Sequence, residues 1–355
     1  MWLRFLALGI GAVALVLGLL TGLARLGIAF PGGSPVAADL HGALMICGFF
    51  GTLISLERAV ALGRWWAYAA PAVSAGGALI LLAGTPAWAA AFFLAAGLLL
   101  TFDSLMVVVR QRALFTVMLA VAAACWAVGT LAWLVSGGLA DAVGWWLAFL
   151  VLTIAAERLE LSRLLAPPPL SQASFAAAVL LILAGAARGE FAGGSGLLTG
   201  VGLLATTAWL IRHDVAMRTV RLAGQARFSA VCMICGYVWL GVAGSVLIAL
   251  PPVTSIFAYD AAVHAIAIGF VLSMVFGHAP IILPAVTGWR VRYAAAAYGP
   301  LALLHASVLL RIVADLGEIV ALRGVSGLLT ILALVTYAAT LAIGSRQRGR
   351  RPTPI

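Results

Sequence analysis

YDAAVHAIAIGFVLSMVFGHAPIILP, residues 259–284, is apolar enough to cross a bilayer, yet it carries two histidines, His264 and His278. No charged residue lies between them. A run of about 20 apolar residues rises roughly 30 Å as a helix, the thickness of the hydrocarbon core. At 100° per residue, the fourteen steps from His264 to His278 return to within about 40° of the starting direction and rise roughly 21 Å. One face of a spanning helix therefore presents an imidazole toward each side of the membrane. Ionisable groups inside a span are costly, so each ring is a candidate functional group.

The rest of the chain has the same character. Of its 355 residues 64% are hydrophobic and only 9% charged, with a mean hydropathy of +1.16. No soluble domain has this balance, and the expected class is an all-α polytopic membrane protein. The net charge of +10 comes from 21 basic residues, all arginine, standing singly or in pairs between apolar runs. That is the pattern of membrane loops and not of a basic surface on a folded domain, which argues against nucleic acid as a partner. Cys47, Cys125, Cys232 and Cys235 lie within apolar runs and form no disulfide framework. The N-terminal run has no clear small-residue cleavage site and reads as a first span, not a removed signal.

Twelve runs of spanning length are expected, at 5–24, 38–56, 66–84, 87–108, 113–135, 143–161, 172–188, 194–211, 228–250, 261–284, 293–313 and 324–344. Residues 1–345 then form a single transmembrane domain, and 346–355 a basic cytoplasmic tail. With these spans only Arg25, Arg188, Arg311 and Arg323 of the 21 arginines fall on one side. By the positive-inside rule both termini are cytoplasmic, in a bacterial-type inner membrane. Span two ends ISLERAVAL, with Glu57 and Arg58, and span six ends IAAERLELSR, with Glu157 and Arg158. Spans two and ten each begin near a histidine. Two readings stand: a trace of three four-helix units, or local ion pairs at helix ends.

Candidate chemistry gathers on five residues. His41 opens span two in DLHGALM, and His264 opens span ten in DAAVH. Both spans run inward from the outer side, so the two rings lie at matching depth, the geometry of a bis-histidine haem held between facing helices. The bland alternative is a pair of hydrogen-bonded histidines at helix ends. A second haem of the diheme cytochrome b kind needs a histidine fourteen residues after His41, and that position is Ser55. His305, in LALLHASVLL of span eleven, is the remaining candidate partner for His278 in a second metal site, with Met233 and Met274 as soft donors nearby. Asp103, in LLLTFDSLMVVV, is a carboxylate well inside a span, suited either to proton relay or to structural pairing.

HAIAIGFVLSM at His264–Met274 and the following GPLALLHASVLLRIVADL resemble two late helices of the NnrS family, and His41 matches that family's early membrane histidine. HGALM at His41–Met45 also resembles, more distantly, the HGxxM of helix two in the haem–copper oxidase catalytic subunit. The resemblance implies a haem- and copper-containing membrane protein linked to nitric oxide metabolism and nitrosative stress. It also implies twelve helices in three arcs of four. It implies His41 and His264 as ligands of a b-type haem, and an electron donor or quinone as partner beside membrane lipid. The chain departs from the NnrS pattern at GHAPIILP, where that family reads GHTGR, and span six has no histidine. An oxygen-reducing copper centre is therefore not implied. The rival expectation is a proton-coupled transporter or permease without haem, whose histidines and Asp103 carry protons. A third is a membrane sensor or assembly subunit.

Overall fold

The computed structural model describes residues 2–28, 39–165, 168–289 and 291–346. Arg290 and residues 347–355, which hold most of the expected basic tail, lie outside the described residues. The described chain is helical, with no strand among the described residues. The long helices in chain order are α1 (Trp2–Arg25), α2 (His41–Leu62), α3 (Trp65–Leu82), α4 (Pro86–Arg110), α5 (Leu114–Ser136) and α6 (Ala140–Leu165). Then follow α7 (Pro169–Ala192), α8 (Leu197–His213), α9 (Gly224–Ala249), α10 (Ile256–Thr287), α11 (Ala295–Leu316) and α12 (Val320–Ser345). Eleven of these are long and apolar enough to cross a membrane. The exception is α8, the eighth expected span, whose 17 residues rise only about 25 Å.

Successive helices pack against one another, most extensively along α3–α6, along α7–α9 and between α11 and α12. α1 meets α12, and α10 meets α1, α2, α6, α9 and α11. Burial ranks the helices by position: 83% of the α6 core segment is enclosed, against 33% for α1 and 22% for α12. α6 is thus interior, while α1 and α12 are largely unenclosed by the described residues. Among apolar surroundings no hydrophobic force drives helices together, so close packing must do so. Small residues permit it. At the α8–α9 crossing a Cβ on Gly200 would stand 2.8 Å from the Gly244 carbonyl oxygen and 2.7 Å from Ile248. Large rings fill the wider gaps, with Trp126 stacked on Phe149 at 5.4 Å between α5 and α6.

Two helices are not regular. In α2 the segment Leu44–Gly51 is a π-helix, and in α10 so is Ala265–Leu272. Each is eight residues long and starts within three residues of a histidine, His41 or His264. Runs of this kind are rare and concentrate at functional sites. Beyond its wide segment α10 continues through Pro280 and Pro284 and ends on Gly288, whose φ of +76° is the left-handed cap that glycine adopts without strain.

Gly200→Val is expected to lower stability by about 1–3 kcal/mol, because its contact is backbone that cannot move aside. Gly9→Ala, where a Cβ meets nothing within 4 Å, serves as the neutral control. Thermal unfolding of the detergent-purified variants checks this, and an unchanged midpoint for Gly200→Val would refute the tight crossing.

Candidate functional site

His41 and His264 line one cavity of about 660 Å³, bounded by α1, α2, α6, α10 and α12. The matched depth read from the sequence thus becomes a shared space. Its wall is mainly apolar, from Met45, Phe50, Trp146 and Leu272 among others, with Arg25, Arg311 and Arg323 also in the lining.

The hydrogen bonds define the state of each imidazole. His41 Nδ1 lies 2.6 Å from the Gly18 carbonyl oxygen of α1. His264 Nδ1 lies 2.8 Å from the Asp260 carbonyl oxygen and 3.2 Å from its carboxylate. A carbonyl oxygen can only accept, so in both rings Nδ1 is the donor, and in the neutral imidazole Nε2 then carries the lone pair. Among the described residues neither Nε2 has a protein partner. Gly22 makes room for the first ring, since a Cβ there would stand 2.8 Å from His41 Cε1. Asp39, near enough in sequence to orient His41, is exposed instead, and the orienting group is the Gly18 carbonyl.

Asp260 belongs to a four-residue ion network. One of its oxygens accepts from both Arg311 and Arg323. Asp315 accepts from Arg311 Nε at 2.9 Å and from Arg323 Nε at 2.6 Å. Two guanidinium groups and two carboxylates thereby join the ends of α10, α11 and α12 beside His264. The arginine count puts Arg311 and Arg323 on the minority side of the membrane and is silent on their pairing. The overlooked signal was the four-residue spacing of Arg311 and Asp315, which puts them on one helix face.

The other three candidates lie elsewhere. His278 accepts through Nε2 from the Arg158 guanidinium at 2.9 Å. His305 accepts at Nδ1 from Trp239 at 2.9 Å, which leaves the proton on Nε2, 3.5 Å from Ser273 Oγ. The two rings share no hydrogen-bond partner, and protein donors engage the lone pair of each. Among the described residues no group of three or more His, Cys, Asp or Glu side chains is arranged to hold a metal ion. Asp103 is buried and faces the charge of Arg58, and its Oδ2 has no partner among the described residues.

Arg158, read from sequence as an interfacial arginine, is also buried, at 6% exposure. Its second terminal nitrogen donates to Met233 Sδ, and its Nε lies 3.9 Å from Asp214 Oδ2. Burial pushes the Asp214 carboxyl above the usual carboxylate range, and Arg158 pulls it the other way. Arg158→Leu is expected to destabilise the protein by about 3–5 kcal/mol, because Asp214 is left buried without its cation. Thermal unfolding checks this. The double variant Arg158→Leu with Asp214→Asn should recover much of the loss, and no recovery would show that the two residues do not act as a pair.

A family model described as a domain of unknown function (DUF8744) matches residues 4–346. No curated protein and no solved structure matches the chain.

Proposed function

We propose that this chain, which belongs to the DUF8744 family, holds a b-type haem between α2 and α10 and acts in nitric oxide or other redox chemistry in the membrane. The observation that carries the reading is the pair of Nε2 atoms, from His41 and His264, at one cavity and without a partner among the described residues, while both Nδ1 groups are tied to carbonyls. Metal-ligating histidines have this arrangement, with the far N–H fixed by an outer partner. The volume of about 660 Å³ falls within the range of cofactor and ligand pockets. The NnrS-like segment His264–Met274, the matching His41 and the oxidase-like HGALM at His41–Met45 point the same way.

In this reading His41 and His264 bind the iron, and the Gly18 and Asp260 carbonyls hold their rings. Phe50, Trp146 and Leu272 exclude water from the cavity. Such a haem would supply a one-electron centre suited to electron transfer, with His41 and His264 holding it. Its partner is an electron donor or quinone in the same membrane. Copper, which the resemblance also implies, has no free histidine lone pair at His278 or His305 in this arrangement. The rival reading is a proton-coupled transporter. It is favoured by the unpartnered Oδ2 of the buried Asp103.

The proposed orientation follows the arginine bias, with both termini in the cytoplasm and the cavity toward the outer side. A reporter fused after Ile355 is expected to be active only as a cytoplasmic fusion. Activity of a periplasm-specific reporter at that position would reverse the orientation.

Purified protein expressed with ample haem is expected to show a six-coordinate low-spin spectrum. His41→Ala and His264→Ala should each abolish that signal while the thermal unfolding transition persists. A variant that keeps the parental spectrum would remove its residue from the ligand set. A colourless parental protein would favour transport.

A further inference from the structure

We propose that Asp260 is a positioning residue whose charge, balanced by Arg311 and Arg323, sets the electron-donor strength of His264. The inference rests on the haem reading above. Its basis is the way Asp260 is shared: the carbonyl and one carboxylate oxygen face His264 Nδ1, while the other oxygen faces both guanidinium groups.

Each part of this arrangement has a consequence. The Asp260 carbonyl accepts from Nδ1–H and holds the proton and the ring plane there, so Nε2 points one way, and a carboxylate oxygen of the same residue stands 3.2 Å from that nitrogen. A carboxylate against Nδ1–H also draws the proton toward itself and makes Nε2 a stronger donor to a metal. That stabilises the more oxidised iron and lowers the reduction potential. Arg311 and Arg323 act in the opposite sense by drawing charge from Asp260. They cannot swing away freely. Asp315, with a side chain fully enclosed, binds both of them, and Arg323 lies over the Phe257 ring at 4.8 Å. Among the described residues His41 has the Gly18 carbonyl on its Nδ1 and no carboxylate in contact. The two histidines therefore differ, and the tunable one is His264.

The network makes opposite predictions for its two signs of charge. Asp260→Asn keeps an oxygen that accepts from Nδ1–H but removes the negative charge. Arg323→Gln removes one positive charge at the more exposed arginine, whose side chain is 19% accessible against 6% for Arg311. Potentiometric titration of the haem absorbance in detergent-purified full-length protein reads both. The expected result is a higher midpoint potential for Asp260→Asn and a lower one for Arg323→Gln, with the low-spin spectrum retained in each. A role in folding alone would not move the two potentials in opposite directions. If Asp260→Asn fails to fold, Arg323→Gln decides by itself, and an unchanged potential there overturns the proposal. Unchanged potentials in both variants, or shifts of the same sign, also overturn it while leaving the haem assignment standing. A parental protein without haem overturns the function proposed above and this inference with it.

Discussion

A charge or an unpaired peptide group in an apolar interior has no water to turn to, and this constraint organises the molecule. Arg158, Arg311, Asp214, Asp260 and Asp315 are all carried into the packed bundle, and each is matched there. The pairing decides which helices must be neighbours. Arg158 ties α6 to the α8–α9 connection through Asp214, to α9 through Met233 and to α10 through His278. Asp260 and Asp315 bind the ends of α10, α11 and α12. The apolar contacts between these points need only be close, because the polar contacts have already fixed who meets whom.

The two polar assemblies sit at opposite ends of α10. At one end an imidazole is held with its lone pair free, and at the other the lone pair is taken by a guanidinium. Two histidines on one helix thus come to have different chemistry. The difference lies in what faces them: a carbonyl accepts and leaves Nε2 available, whereas an arginine donates and uses it. This is why His264 enters the proposed site and His278 reads as part of the scaffold.

Much of this was legible in the sequence. The apolar runs marked the long helices, since twenty residues without charge leave few other structures open. Helix direction and loop count placed His41 and His264 at one depth, and the cavity brings them together. Three things were hidden for physical reasons. The orienting group of His41 is a backbone carbonyl, which every residue has, so no side chain announces it. Arg158 and Arg311 look like interfacial arginines because a count of charges per loop carries no depth. The shortness of α8 was blurred because the expected span opened at Gly194, whereas the helix begins only at Leu197, after Gly-Ser-Gly.

The π-helical segments had no signature in composition at all, and they tie the site to chain length. A wide turn holds more residues than a regular one, and each residue of a regular helix advances about 100°. If one residue were deleted between Leu44 and Gly51, the segment would move toward regular geometry. His41 would then turn by about 100° against the lower half of its helix, away from its present bearing. The same holds for His264 and the segment Ala265–Leu272. An in-frame loss of a single codon, changing no polar group, would thus act as a rotation of a ligand. For alignments of related chains, a gap in either window carries more weight than most substitutions there.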